Sequence, residues 1–180
     1  LHLCSHNLET IETTSTAKHD LLAEVCMAAY YEGDLIKTRH LEHQLTNQGT
    51  SSQLCTVLAR SFADIGDIVR GRDLFLGNDK EKEKRKQLDD KLKDIFKKIH
   101  EKLNGAEARY KDTDNYYELR EDWWTENRET VWKAITCDVK SGNNYFRPTC
   151  GGGKTPTQGK CRCNDNQVPT YFDYVPQYLR

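Results

Sequence analysis

The chain has 180 residues, 36% of them hydrophobic and 31% charged, and a formal net charge of −1. This composition suits a folded globular domain and excludes intrinsic disorder, and the balanced charge excludes nucleic-acid binding driven by overall charge. No apolar run approaches the ~20 residues needed to span a bilayer. No signal peptide opens the chain. It begins Leu1-His2-Leu3-Cys4, without an initiator methionine and with an early cysteine, so we expect a fragment of a longer polypeptide.

The first helix is predicted to begin at Lys18, after a threonine-rich loop over residues 1–17. Apolar and small residues then recur at helical spacing. They are Leu22, Val25, Cys26, Ala29, Gly33 and Ile36. The pattern weakens towards Leu45, and a polar turn follows.

The second helix is predicted from an apolar stripe that ends at a glycine. Spacings of three and four residues place one set of side chains on one face. This set is Leu54, Leu58, Phe62, Ile65 and Val69. Gly71 ends the helix, and Arg70 lies in the last turn, where a cation interacts favourably with the helix dipole. Arg60 and Arg70 are predicted to be helix-end or inter-helix partners rather than ligand contacts.

The third helix, from Asp79 to Leu103, has the clearest amphipathic pattern in the chain. A row of lysines lies beside its apolar stripe within about 40° of arc. The row consists of Lys80, Lys84, Lys91, Lys98 and Lys102. Two interpretations stay open. The row is either a solvated face partly neutralised by nearby acidic residues, or a binding site for a sulfated or otherwise anionic glycan, which flexible ammonium groups suit.

The fourth helix ends near Ile135, and its apolar residues cover more than half of its circumference. Such a helix packs against two neighbours or another subdomain, so Trp123 and Trp124 are predicted to be core residues rather than sugar-stacking ones. Residues 137–168 combine four cysteines with many glycines and predict a disulfide-pinned loop. The aromatic residues 169–180 are predicted to start a truncated helix.

Seven cysteines indicate disulfides and an oxidising, extracellular compartment. Zinc ligands come in pairs two to four residues apart, whereas Cys161 and Cys163 are separated by one residue. Cys26 and Cys55 lie on or beside the apolar stripes of adjacent helices, and we predict that they pair, with a stabilisation of about 3–4 kcal/mol. The four C-terminal cysteines are predicted to pair among themselves in an open order: Cys137, Cys150, Cys161 and Cys163.

No motif in the chain supports catalysis. The stretch Gly151-Gly152-Gly153-Lys154-Thr155 lacks the first glycine of a phosphate-binding loop, because Pro148 occupies that position. Glu121 and Asp122 point about 100° apart on a helix and cannot flank one glycosidic bond. We therefore predict no enzyme, no cofactor and no metal site, and the residues alone indicate a helical, disulfide-bonded extracellular binding module.

Residues 59–73, ARSFADIGDIVRGRD, resemble the signature of a Duffy-binding-like domain. The resemblance is closest to the alpha type of the variant erythrocyte membrane protein of the falciparum malaria parasite. Further family blocks appear in the expected order along the chain and extend the resemblance over nearly its whole length. They are residues 21–26, 132–137, 161–163 and 168–180.

This resemblance implies an all-α fold. Residues 18–136 would form a bundle of about four helices, the central subdomain of a larger Duffy-binding-like domain. The cysteine-rich loop, residues 137–168, would follow it. Cys4 would pair outside the fragment, where the neighbouring subdomains lie.

The resemblance also implies adhesion at the outer face of the infected red cell, with the membrane anchor outside this fragment. The implied partners are a host red-cell or endothelial receptor, with heparan sulfate, a blood-group sugar or complement receptor as the ligands associated with rosetting. The lysine row would serve heparan sulfate. The alternative is a structural scaffold subdomain whose receptor contacts lie on other parts of the protein.

Overall fold

The computed structural model describes residues 17–46, 53–74, 77–103, 105, 109–110, 114–165 and 167–180. Within these ranges every named element is a helix, and the one strand-like pairing is an isolated bridge between Cys150 and Thr155. The predicted all-α fold with a C-terminal disulfide-rich loop is confirmed.

Four long helices form the bundle, in the order predicted from the periodicity. They are α1, Ala17–Thr46; α2, Leu54–Arg70; α3, Asp79–His100; and α4, Tyr117–Ile135. A short turn, α5, covers Cys150–Gly153 with its glycines in the left-handed conformation, and two short 3₁₀ helices cover Phe172–Tyr174 and Gln177–Leu179. None of the helices in the described ranges is long and apolar enough to cross a membrane.

Helix α2 is the central element, since it packs against α1, α4 and the C-terminal segment at once. Twelve of its 17 residues are buried, which leaves little of its surface for solvent. The Phe62 ring lies 5.1 Å from the rings of both Trp124 and Trp132. Gly71 ends the helix in the left-handed conformation, with φ 71°, and its N–H donates to the Ile68 carbonyl. The core role predicted for the α4 tryptophans is therefore confirmed.

Helices α1 and α4 approach closely where α1 carries a glycine. A Cβ added at Gly33 would overlap the carbonyl oxygen of Ile135 and lie 2.9 Å from its carbonyl carbon. Both are backbone atoms, so neither can rotate away. The two helix backbones therefore touch at this point, and only glycine permits that distance.

We expect Gly33→Ala to lower the free energy of unfolding by about 1–3 kcal/mol, because the helices must separate to admit the methyl group. Urea denaturation of the wild type and the variant measures the difference. Helix propensity alone favours alanine by about 1 kcal/mol, so a variant as stable as the wild type, or more stable, would contradict this packing.

The C-terminal segment differs from the prediction. Residues 169–180 do not start a regular α-helix but form the two 3₁₀ helices. Val175 is extended, with φ −76° and ψ 127°, as expected for a residue that precedes a proline, and Pro176 has no N–H to continue a helix.

The predicted Cys26–Cys55 bridge is wrong. Cys55 bonds to Cys161, with Cα atoms 5.4 Å apart, and so ties α2 to the C-terminal loop. The loop reaches Cys55 because Trp132 on α4 donates to the Cys161 carbonyl at 3.1 Å and holds it against the core. Cys26 is unbonded and half-buried, and burial raises the pKa of its thiol.

The prediction that the four C-terminal cysteines pair among themselves is confirmed for one disulfide bond. Cys150 and Cys163 are joined, with Cα atoms 5.6 Å apart. Cys161 pairs outside the group, and Cys137 is an exposed free thiol in this structure. Cys4 lies outside the described residues.

Candidate functional site

Helix α3, which carries the lysine row, is well specified by its own sequence. Asn78 accepts a hydrogen bond from the Glu81 N–H at 3.0 Å, and the Glu81 carboxylate accepts one from the Asn78 N–H at 2.9 Å. This capping box satisfies two backbone donors at the helix start. Acidic residues in the first turn and basic residues in the last turn both interact favourably with the helix dipole.

The structure places the lysine row along one flank of α3. Four of the five lysines belong to the helix, and Lys102 lies in the turn that follows His100, where the helix ends. Lys80, Lys84 and Lys102 are exposed, whereas Lys91 and Lys98 are half-buried. The row lies about a quarter of a turn from the buried stripe and runs ~27 Å along the helix from Lys80 to Lys98.

Two of the lysines on the opposite flank of α3, Lys82 and Lys93, are paired with carboxylates. Lys93 pairs with Asp89 at 2.9 Å, and this hydrogen bond raises the pKa of Lys93. Lys82 lies 3.6 Å from Asp79. By contrast, no ion pair within the described residues involves the four helical members of the row. On the opposite flank Lys86 and Lys97 likewise form no ion pair within the described residues, so the two flanks differ in the pairing of Lys82 and Lys93.

A buried arginine fixes α3 to the rest of the bundle. Arg120 on α4 donates to Asp89 at 3.0 Å and to the carbonyls of Val69 and Ile68, at 2.6 and 3.1 Å, at the end of α2. Burial lowers the pKa of Arg120, and the Asp89 carboxylate acts in the opposite direction. The lysine row is therefore displayed on a helix whose position is set by the core.

A second buried charge cluster, which the sequence patterns did not predict, holds the C-terminal segment. The carboxylate of Asp173 accepts hydrogen bonds from Arg128 at 2.7 and 2.8 Å and from the Trp124 indole at 2.9 Å. Arg70 donates to the Asp173 carbonyl and pairs with Glu121 at 3.1 Å. These residues bring α2, α4 and the C-terminal segment together; we call them the Asp173 cluster. The inter-helix role predicted for Arg70 is confirmed.

A cleft of about 730 Å³ opens on the side of α2 that faces the C-terminal loop. We call it the aromatic cleft. Its lining comes from α2 at positions 56, 59 and 60, from residues 145–149, 152 and 153, and from residues 167, 169–172 and 175. Arg60 lines this cleft and is exposed, so the inter-helix role predicted for it is wrong. It lies on the outward face of α2, which the periodicity of the buried face does not describe.

Two of the discounted motifs have structural roles. Glu121 accepts a hydrogen bond from Arg70 and forms an ion pair with Arg72, and the Gly151–153 run forms a turn with three successive positive φ angles. Within the part of the chain that the structure describes, no group of three or more His, Cys, Asp or Glu side chains is placed to hold a metal ion.

The sequence matches the Duffy binding domain over residues 1–180. The chain is 43% identical to the NTS-DBL1(alpha-1) domain of the Plasmodium falciparum membrane protein 1 (PfEMP1) from the varO strain, with a TM-score of 0.77. That match covers 99% of this chain and 40% of the other. Identity to the NTS-DBL1-alpha and CIDR-gamma double domain of varO PfEMP1 is 44%, with a TM-score of 0.79 and coverage of 99% and 25%.

The chain is also 32% identical to the PfEMP1 IT4var13 DBLbeta domain bound to ICAM-1, with a TM-score of 0.65 and coverage of 99% and 40%. It thus spans less than half the length of these structures. No curated protein matches the chain.

Proposed function

The chain belongs to the Duffy binding domain family, and on that basis we propose that it is a host-receptor-binding adhesion module displayed outside the infected red cell. The support comes from the similar DBL1-alpha domains of PfEMP1 and from the DBLbeta relative, which is bound to ICAM-1. In this proposal residues 18–136 are the central helical bundle of a larger domain. The membrane anchor lies elsewhere in the protein, and the module has no enzymatic activity.

The lysine row is the surface that we assign to ligand binding, with an anionic glycan such as heparan sulfate as the ligand. The observation that carries this assignment is the contrast between the two flanks of α3. Two lysines of the opposite flank, Lys82 and Lys93, are paired with carboxylates, whereas the four helical lysines of the row have no carboxylate partner in the described residues. Unpaired ammonium groups on flexible stems bind sulfates of varied spacing without requiring one fixed sequence.

We expect the variant Lys84→Ala, Lys91→Ala, Lys98→Ala, Lys102→Ala to leave a heparin column at clearly lower salt than the wild type, because four cations that face the polyanion are removed. The matched control removes four lysines from the opposite flank of the same helix: Lys82, Lys86, Lys93 and Lys97. Both variants lose the same formal charge, so the effect of net charge cancels.

A heparin elution that is unchanged in the row variant, or shifted equally in the control, would reject the row as the binding surface. The alternative function would then gain support, namely a scaffold subdomain whose receptor contacts lie on other parts of the protein. One observation favours this alternative: the chain covers only 25–40% of the similar structures, so most of their surface lies outside it.

A further inference from the structure

The aromatic cleft has no part in the lysine-row assignment, because none of its described lining residues belongs to α3. Its volume of about 730 Å³ lies within the range of roughly 300–1,000 Å³ that is usual for small-molecule sites. Three separate parts of the chain form its walls, namely α2, the cysteine-rich loop and the C-terminal segment. A ligand in the cleft would therefore bind independently of the lysine row.

The walls of the cleft are joined to one another. The Cys55–Cys161 disulfide ties the cysteine-rich loop to α2. The Tyr145 hydroxyl donates to the Thr170 hydroxyl at 3.2 Å, and this hydrogen bond joins the loop to the C-terminal segment. A ligand would thus meet a preformed cleft, and its binding would not bear the entropic cost of ordering the walls.

The apolar part of the lining is mainly aromatic and consists of the rings of Tyr145, Phe146, Tyr171 and Phe172. Phe146 is 52% exposed and Tyr171 is 63% exposed, so both rings have surface available to a ligand. Both are also held in place: Phe146 packs 4.8 Å from Tyr145, and the Arg128 guanidinium lies 5.3 Å from the Tyr171 ring. Fixed aromatic rings offer flat apolar surfaces, on which another aromatic ring stacks favourably.

Two guanidinium groups set the charge preference of the cleft. Arg60 lines it from α2 and Arg147 from the loop, where Arg147 lies 5.2 Å from the Phe146 ring. None of the described lining residues is acidic, and neither guanidinium forms an ion pair within the described residues. Guanidinium groups bind carboxylates and sulfonates through paired, charge-assisted hydrogen bonds. The cleft therefore favours an anion.

The cleft also contains polar groups that no described residue satisfies. The Thr149 hydroxyl oxygen is buried and has no hydrogen-bond partner in the described structure. Buried polar atoms in folded proteins are nearly always satisfied, so an orphan that lines a cleft points to a ligand or an ordered water. The side-chain amide of Gln167, which also lines the cleft, forms no hydrogen bond with any described residue.

We propose that the aromatic cleft binds a planar aromatic anion, that is, a small molecule of fused or linked aromatic rings with one carboxylate or sulfonate group. The rings stack on Phe146 and Tyr171, Arg60 and Arg147 bind the anionic group, and Thr149 supplies a further hydrogen bond. A flexible aliphatic acid fits less well, because it cannot stack on the rings and loses more conformational entropy when it binds.

The test is an NMR titration of the folded 180-residue chain with three probes that share one ring system. Naphthalene-2-sulfonate carries a sulfonate, 2-naphthoate carries a carboxylate, and 2-naphthamide is the neutral control. We expect at least one acidic probe to bind about tenfold more tightly than the amide, because a charge-assisted hydrogen bond replaces a neutral one. Whichever acidic probe binds more tightly identifies the preferred anionic group.

The variant Arg60→Ala, Arg147→Ala separates the charge from the aromatic surface. We expect it to weaken the acidic probe by about tenfold or more and to leave the affinity for 2-naphthamide within about twofold of the wild type. Phe146→Ala removes an exposed ring, and we expect it to weaken all three probes while leaving the fold intact.

The four-lysine row variant is the control for general charge effects, and we expect it to bind the acidic probe as the wild type does. Failure of the lysine-row proposal therefore leaves this one standing. The proposal is overturned if neither acidic probe binds, if 2-naphthamide binds equally well, or if the double arginine variant retains wild-type affinity for the acidic probe. Equal losses in the double arginine variant and the row variant would also overturn it.

Discussion

Replacing both Cys55 and Cys161 by alanine is expected to lower the free energy of unfolding by about 4–5 kcal/mol. This is a large share of the roughly 5–15 kcal/mol that stabilises a typical folded protein. The bond joins residues 106 positions apart, and the entropy that a cross-link removes from the unfolded chain grows with loop length. Urea denaturation under non-reducing conditions measures the loss.

The second disulfide provides the control. Cys150 and Cys163 are only 13 residues apart, so the paired alanine variant at these positions is expected to lose about 3 kcal/mol. A loss at the long-range pair that is equal to or smaller than the loss at the short-range pair would contradict the view that Cys55–Cys161 ties the loop to the bundle.

Asp173→Asn is expected to destabilise the protein by about 3–5 kcal/mol, because it leaves the Arg128 guanidinium without its buried carboxylate. Asp173 is 1% exposed, so water cannot replace the lost charge. Thermal and urea unfolding measure the change. The variant Asp94→Asn, at an exposed position of α3, is the control, and we expect it to change stability by less than about 0.5 kcal/mol.

A double-mutant cycle separates the interaction energy between Arg128 and Asp173 from the cost of burying each side chain by itself. We expect Arg128→Met combined with Asp173→Leu to be less destabilising than the sum of the two single changes, because the pair removes both charges together. Additive effects would show that the two side chains do not interact in the folded protein, contrary to the 2.7 Å contact.

The four helices were predictable because each one buries a regular stripe. Hydrophobic periodicity reports which face of a helix is buried, and for α2 it correctly indicated Phe62 and Val69. The glycine that ends α2 is a local signal as well, and the predicted helix bounds were close to those observed.

The same periodicity does not say which element covers the buried face. Cys55 lies on a buried face, but it meets the loop that carries Cys161 rather than α1, and this pairing across 106 residues leaves no local signal. The Asp173 cluster was missed for the same reason, since Asp173 lies 45 residues from Arg128 in sequence. Arg60 was misassigned because a helix position opposite the core gives no indication of the cleft beside it.

The central proposal is that this module adheres to host cells through the lysine row. Flow cytometry tests it most directly, by measuring how much labelled chain binds to human endothelial cells with and without heparinase treatment. We expect binding to fall after heparinase and after the four-alanine change in the row, but not after the matched change on the opposite flank of α3. The proposal of adhesion through the row would be contradicted if heparinase did not change the binding of the chain to the cells and if the row variant and the opposite-flank variant bound equally well.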